Sequence, residues 1–89
     1  MNIAITGIKS TLGLALLNRL RGNSLIDNII GIDIAPWDGK QFDNYQHHQI
    51  DVRNEDAMEK AFQGIDVVIH LAFIVLTNKL DLDYILDVN

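Results

Sequence analysis

The sequence predicts an α/β fold in which helices cover both faces of a parallel sheet. Three observations support this prediction: short apolar runs alternate with helical segments, a turn containing glycine joins the first run to the first helix, and an aspartate closes the second run. Strands that alternate with helices pair in parallel through right-handed crossovers. We therefore expect one domain over residues 1–89.

The first strand is predicted over Asn2–Thr6, an apolar and β-branched run that stops at Gly7. A helix follows from Thr11, and Gly22 with Asn23 forms its stop signal. Its apolar residues lie on two faces, so we expect the helix to be covered on more than one side. One face carries Leu12, Ala15, Leu16 and Leu20, and the second carries Leu14 and Leu17.

Three further strands are predicted at residues 28–34, 46–52 and 66–71. The last of these, DVVIHL, is so apolar that we expect a central position in the sheet. The strand at 46–52 is a weaker prediction, because its apolar residues are confined to Ile50 and Val52. Between these two strands, Asn54 predicts a helix N-cap and Gly64 predicts the helix end. Residues 72–78 are predicted as a loop and residues 81–89 as the start of another helix.

The composition restricts the classes of partner. A net charge of −5 with seven Lys and Arg residues argues against nucleic-acid binding, because polyanions are bound by clustered cations. The longest apolar run, residues 67–76, is shorter than a membrane-spanning helix requires, and the first residues lack the basic region of a signal peptide. The absence of cysteine is typical of a reducing compartment. We expect a cytoplasmic protein with no membrane partner.

The residues that carry chemistry follow the first strand, where residues 7–13 have the sequence GIKSTLG. Glycines allow a tight turn, close approach of the backbone to a pyrophosphate, and close packing of helix against strand. The free N–H groups at the helix start then favour an anion. Asp33 closes the second strand about 20 residues later, where a carboxylate accepts hydrogen bonds from ribose hydroxyls. Together these features predict a dinucleotide site; in the alternative, the glycines serve only turn and packing and Asp33 is a solvated strand end.

Longer stretches resemble the extended short-chain dehydrogenases, the group of NAD-dependent epimerases and dehydratases. TGIKSTLG is similar to their T-G-x-x-G-x-x-G loop, DVRNEDAMEKAFQGIDVVIHLAF to their D-[VI]-x-[DN] segment, helix and H-L-A-A strand, and YILDVN to their helix with a V-N pair. The resemblance covers nearly the whole chain in the family's order. It implies a Rossmann-type parallel sheet with strand order 3-2-1-4, truncated before the catalytic and substrate-binding part.

The resemblance also assigns residues to a bound cofactor. It implies that the pyrophosphate is surrounded by Gly7, Ile8, Ser10, Thr11, Leu12 and Gly13. It further implies that Asp33 holds the adenosine ribose, that Asp51 and Val52 contact the adenine edge, that Leu71, Ala72 and Phe73 line the path to the nicotinamide, and that Asn89 lies near the cofactor and active site. The expected cofactor is NAD rather than NADP, because Asp33 repels a 2′-phosphate even though Lys9 supplies a cation nearby.

Two departures from the family pattern affect these expectations. Ser10 replaces the middle glycine, so a Cβ and a hydroxyl approach the phosphates, and we expect Ser10→Gly to preserve or improve cofactor affinity. The family's catalytic Y-x-x-x-K is absent from the 89 residues, since Gln49 and Val88 stand four residues after Tyr45 and Tyr84. The chain alone is therefore expected to be inactive.

The expected function is NAD binding, as the N-terminal part of an NAD-dependent epimerase/dehydratase that acts on a nucleotide-sugar-like substrate. Two alternatives stay open: a catalytically silent nucleotide-binding or redox-sensing module, and a truncated fragment without function. The fourth strand lacks a fifth strand beside it in this sequence, which predicts self-association through an open sheet edge.

Histidine and tryptophan positions carry further alternatives. His47 and His48 are expected to be surface histidines rather than metal ligands, because neighbours on a strand point to opposite faces. His70, within the most apolar strand, is expected to be a hydrogen-bonded core histidine rather than a general base. For Trp37 two placements stay open, one over the adenine and one covering the sheet edge.

Overall fold

A computed structural model of the chain describes residues 1–71. Its strands are Asn2–Thr6 (β1), Asn28–Asp33 (β2), Tyr45–Gln49 (β3) and Val67–His70 (β4), and its helices are Thr11–Leu20 (α1) and Glu55–Ala61 (α2). All strand pairs are parallel, and the order across the sheet is β3-β2-β1-β4. The predicted fold class and strand order are confirmed. The loop predicted at 72–78 and the helix predicted at 81–89 lie outside the described residues.

The two helices cover opposite faces of the sheet, because successive strand residues point to opposite sides. On one side, Ile5 of β1 and Ile29 of β2 pack with Leu17 of α1. On the other side, Ile32 of β2 packs with Met58 and Ala61 of α2. These sides are called the α1 face and the α2 face below. Helices on both faces are the arrangement that the sequence predicted.

Helix α1 packs only part of its predicted apolar set against the sheet: Leu17 is buried, and Leu16 and Leu20 pack partly buried against the core. Gly13 and Leu17 are its buried residues, whereas Leu12 is 53% exposed and Leu14 is 38% exposed. Residues four apart share one helix face, so the row that begins at Gly13 determines which side approaches the sheet. Coverage of the helix on more than one side is not observed within residues 1–71.

The third strand begins and ends earlier than the predicted range of 46–52. It spans Tyr45–Gln49. Tyr45 is buried in the core on the α1 face, with 2% of its surface exposed. The chain turns at Asp51, whose carboxylate accepts the N–H of Arg53 at 2.9 Å and whose carbonyl accepts the N–H of Asn54 at 2.9 Å. This turn ends the strand, because an Asp side chain that bonds the backbone two residues on competes with strand pairing.

The predicted ends of helix α2 are confirmed. The side chain of Asn54 accepts the N–H of Ala57 at 3.1 Å, which is the N-cap contact. Gly64 has a φ of 75°, the left-handed conformation in which a chain leaves a helix at low cost. Met58 and Ala61 are the buried residues of this helix.

Strand β4 occupies the edge of the described sheet rather than its centre. It pairs with β1, and within residues 1–71 no strand pairs with its other side. Val67 and Val68 are 39% and 43% exposed there. Self-association through this edge stays a prediction. Neither helix in this part of the chain has the length and apolarity that crossing a bilayer requires.

Candidate functional site

The sheet brings the carboxyl ends of all four strands to one edge, because the strands are parallel. The loop at residues 7–13 follows β1, and Asp33 closes β2 beside it. The strand order changes direction at β1, which has β2 on one side and β4 on the other. In open α/β sheets, ligands bind outside the carboxyl ends of the strands at such a switch point. The candidate site is therefore the crevice above β1.

The loop after β1 is anchored to the neighbouring strand. Gly7 has a φ of 69°, which favours glycine, and its N–H donates to the carbonyl of Ile32 at 2.8 Å. The N–H of Ile8 donates to the same carbonyl at 3.3 Å. The Ile8 side chain is fully buried in the core on the α1 face. The Ile8 side chain therefore belongs to the core and does not reach a ligand at this edge.

Helix α1 begins at this loop with free hydrogen-bond donors. Ser10 is the N-cap: its hydroxyl accepts the N–H of Gly13 at 3.0 Å and donates to the carbonyl of Gly7 at 2.8 Å. The N–H groups of Thr11 and Leu12 have no partner within residues 1–71. These two donors and the positive end of the helix dipole favour an anion.

The Ser10 hydroxyl is thus occupied by two backbone groups of its own loop, a role that the sequence did not predict. We expect Ser10→Ala to lower the free energy of unfolding by about 1 kcal/mol, and Ser10→Gly to lower it by only a few tenths. Urea unfolding followed by circular dichroism measures both. Ser24→Ala is the matched control, because Ser24 is exposed and outside the helices. Equal unfolding midpoints for Ser10→Ala and Ser24→Ala would contradict the capping role.

Gly13 allows the helix to approach the loop closely. A Cβ at this position would lie 2.6 Å from the carbonyl oxygens of both Gly7 and Ile8. Contacts this short do not occur in folded proteins, and the atoms involved belong to the backbone, which cannot rotate away. The sequence predicted that a glycine here lets the helix pack closely against the strand, and the close contact observed is with the loop that directly follows β1.

Asp33 is held beside the loop by two backbone donors. Its Oδ2 accepts the N–H of Lys9 at 3.0 Å, and its Oδ1 accepts the N–H of Ala35 at 3.0 Å. A carboxylate has about four lone-pair positions, so acceptor capacity remains after these two bonds. The structure therefore fixes the orientation of Asp33 next to residues 7–13 and leaves it able to accept hydrogen bonds from a ligand.

Asp51 and Val52 follow β3 and make different contacts. Arg53 binds Asp51 through two nitrogens, with Nη2 at 2.6 Å from Oδ2 and Nε at 3.1 Å from Oδ1. These hydrogen bonds lower the pKa of the Asp51 carboxyl to about 2. Val52 packs on the α2 face and lines a cavity of about 540 Å³ with Met58 and other residues. Asp51 is thus an ionised acceptor already engaged by Arg53.

Leu71 is the last of the predicted site residues within the described range. Its N–H donates to the carbonyl of Thr6 at 3.1 Å, so it lies beside the end of β1. Its side chain is buried in the core on the α1 face. Ala72, Phe73 and Asn89 lie outside the described residues. The structure groups residues 7–13, Asp33 and Leu71 around the end of β1.

The sequence did not predict a hydrogen-bonded pair, Tyr45 and His47, that ends at the carbonyl of Ala35. Nε2 of His47 lies 2.9 Å from the carbonyl of Ala35, which can only accept, so this nitrogen carries the proton. Nδ1 of the same ring lies 3.0 Å from the Tyr45 hydroxyl. Burial raises the pKa of the Tyr45 phenol, and the negative charge of Asp33 raises it further. Tyr45 therefore stays protonated and can donate.

One signal of this arrangement was present in the sequence. Gly31 interrupts an otherwise β-branched strand, and a Cβ there would overlap the hydroxyl of Tyr45. A glycine within a strand marks the close approach of another group. Because His47 uses both ring nitrogens and His48 points to the opposite face, the two histidines do not converge.

Trp37 covers the sheet. Its ring centroid lies 4.7 Å from that of Tyr45 and 5.6 Å from that of His47, and it packs against the core on the α1 face. Of the two placements left open, the structure shows the one on the sheet.

His70 differs from its predicted environment. Its Nδ1 lies 2.6 Å from the hydroxyl of buried Thr6, so it is hydrogen-bonded as expected. The residue is nevertheless exposed rather than part of the core. The physical reason is its place on β4, the edge strand of the sheet within residues 1–71, where the seven-residue helix α2 lies on that side.

The parallel sheet, its strand order and the loop leading into α1 define an α/β protein of the Rossmann class. The chain belongs to the NAD dependent epimerase/dehydratase family, whose family model matches residues 3–89.

One relative agrees with this family, and solved structures share the fold. L-arabinose 1-dehydrogenase (NAD(P)(+)) of Haloferax volcanii is 31% identical over 70 residues, which are 79% of this chain and 24% of that protein. The crystal structure of uronate dehydrogenase from Agrobacterium tumefaciens matches with a TM-score of 0.69 and 24% identity, over 79% of this chain and 25% of that one. A variant of the same enzyme complexed with NAD matches equally well. The chain spans about a quarter of the length of these relatives.

Proposed function

We propose that this chain binds NAD as the N-terminal part of an NAD-dependent enzyme of this family. The observation that carries the proposal is the Asp33 carboxylate, which two backbone N–H groups hold beside the loop at residues 7–13. A carboxylate in this place accepts hydrogen bonds from both hydroxyls of a ribose. The start of α1 offers donors to a pyrophosphate at the same edge of the sheet.

Each part of the cofactor has a counterpart among the residues. The N–H groups of Thr11 and Leu12 would bind the pyrophosphate, while Gly13 keeps the helix close enough for them to face it. Asp33 would hold the adenosine ribose. Asp51 would face the adenine edge with Arg53 bound to it, which supplies a planar guanidinium beside the base as well as a carboxylate.

The assignment of residues to the nicotinamide end of the cofactor rests on the family resemblance. Leu71 lies beside the end of β1, where it would begin the path to the nicotinamide, and the residues that continue this path in the proposal are Ala72, Phe73 and Asn89. When bound, NAD supplies a hydride acceptor. The residues described above bind and orient that group, and they supply no acid or base for the substrate.

The substrate we propose is derived from a sugar. The family resemblance favours a nucleotide-sugar-like molecule, and the relatives named for L-arabinose and uronate act on simpler sugars or sugar acids. Both possibilities share a hydroxyl or carbonyl carbon that exchanges a hydride with the cofactor. Specificity between them depends on residues that contact the substrate rather than on the fold.

Calorimetric titration of the 89-residue chain with NAD⁺ tests the proposal. We expect saturable binding that ADP-ribose competes away and nicotinamide mononucleotide does not, since the described part of the site holds the adenosine and pyrophosphate. The midpoint temperature of thermal unfolding should rise with NAD⁺ concentration, because a ligand that binds the folded state stabilises it. A folded chain, shown by circular dichroism, whose unfolding temperature is unchanged by NAD⁺ would refute NAD binding.

A further inference from the structure

Lys9 links the loop at residues 7–13 to the segment that follows β2. Its backbone N–H donates to Asp33 Oδ2 at 3.0 Å, while its ammonium donates to Asp38 Oδ1 at 2.7 Å and to the carbonyl of Pro36 at 3.2 Å. The Lys9 side chain is 24% exposed and that of Asp38 is 80% exposed. Lys9 thus contacts the carboxylate that would hold the ribose through its backbone, while an exposed acid holds its ammonium on the segment that follows β2.

The charge on the adenosine 2′ position decides what this arrangement does. NAD has a hydroxyl there, which donates to Asp33 and needs no cation. NADP has a phosphate there with a charge of about −1.5 to −2 at neutral pH, which Asp33 repels. A phosphate at this position would need the ammonium of Lys9, but Asp38 and the carbonyl of Pro36 already occupy it.

We propose that Asp38 determines cofactor specificity by holding the Lys9 ammonium on the segment after β2, away from an adenosine 2′-phosphate. This inference rests on the proposed function, because it assumes that the adenosine ribose binds at Asp33. The site then discriminates against NADP twice: Asp33 repels the phosphate directly, and Asp38 withholds the cation that would offset the repulsion.

The pair is intact at neutral pH and still weak enough to be displaced. The hydrogen bond from Lys9, together with its positive charge, lowers the pKa of the Asp38 carboxyl, so that carboxyl is ionised. Exposed ion pairs change an equilibrium constant by only about 1.4-fold to 5-fold. Removing Asp38 also removes one negative charge near the phosphate. We therefore expect a moderate change in preference, on the order of threefold to tenfold.

The test compares dissociation constants for NAD⁺ and NADP⁺ in four variants of the 89-residue chain by calorimetry. Asp38→Ala is expected to raise the affinity for NADP⁺ relative to NAD⁺ by about threefold to tenfold. The double variant Lys9→Met with Asp38→Ala should lose that gain, because no ammonium is left to release. Lys9→Met alone should keep or strengthen the preference for NAD⁺, because it leaves the Asp38 carboxylate without its cation. Asp43→Ala is the matched control, since Asp43 is an exposed acid on the same segment and changes the charge equally.

Two outcomes would overturn the inference: an equal ratio in Asp38→Ala and Asp43→Ala, or a gain in Asp38→Ala that persists in the double variant. The second would show that the gain does not require the Lys9 ammonium. If NAD⁺ binds with the same preference in every variant, the proposed function stands and this inference fails. If neither dinucleotide binds to the folded, unmodified chain, both fail together.

Discussion

Gly13→Ala is expected to destabilise the fold by about 2 kcal/mol and to weaken NAD⁺ binding sharply. In most helices this change stabilises by roughly 0.5–1 kcal/mol, because alanine loses less entropy than glycine. Here the added Cβ would lie 2.6 Å from two backbone carbonyl oxygens and 2.8 Å from the carbonyl carbon of Ile8. The helix must move away from the loop to relieve these contacts, which displaces the N–H groups of Thr11 and Leu12.

Gly22→Ala is the matched control for this prediction. A Cβ at Gly22 meets no atom within 4 Å, and its φ is not in the left-handed region. We expect this variant to unfold at the same urea concentration as the unmodified chain or slightly higher. Urea unfolding measures stability, and calorimetry measures NAD⁺ affinity in the variants that stay folded. If Gly13→Ala and Gly22→Ala were equally stable, the close approach of helix to loop would be wrong.

Asp33→Ala is expected to lower NAD⁺ affinity by about 10-fold to 100-fold, because hydrogen bonds to a charged acceptor contribute roughly 1.5–3 kcal/mol. Affinity for NADP⁺ should fall less or rise, since the same change removes the charge that repels a 2′-phosphate. The unmodified chain should therefore bind NAD⁺ more tightly than NADP⁺, and the ratio of the two dissociation constants should be closer to one in the variant. Calorimetric titration with both dinucleotides gives the two dissociation constants.

Asp33→Ala removes two hydrogen bonds within the protein as well as the proposed ribose contacts, because Asp33 also accepts the N–H groups of Lys9 and Ala35. The two effects must be measured separately. Asp33→Asn keeps one acceptor oxygen and should preserve more of the local structure while still losing the charge. Asp43→Ala, an exposed acid on the segment that follows β2, controls for net charge. Equal or tighter binding of NADP⁺ by the unmodified chain would contradict the role of Asp33.

Much of the fold was predictable because its signals are local. Thr6 before Gly7 marked the end of β1, and Asn54 and Gly64 marked both ends of α2. Each of these residues acts through its own backbone or through a partner a few positions away, so a single sequence is sufficient to identify it. The order of elements then restricted the sheet to a parallel topology with few alternatives.

The features that the sequence did not predict correctly depend on residues far apart in the chain. The start of β3 at Tyr45 depends on the space that Gly31 leaves on the neighbouring strand. The buried row of α1 depends on how closely Gly13 approaches Gly7 and Ile8. Neither can be obtained from the apolar pattern alone, which records which residues are hydrophobic but not the distance between elements.

The sequence by itself determined the class of fold, the family and the position of the residues around the end of β1, because strand ends, caps and the glycine turn are encoded within a few residues. Only the tertiary structure decided how the acids and cations near that edge are paired. The ammonium of Lys9 donates to Asp38, which is 29 positions away in the sequence. The backbone N–H of Lys9 donates to Asp33, which is 24 positions away. Such pairs form only when separate loops converge in the folded chain, so their partners cannot be assigned from the residue types that the sequence contains.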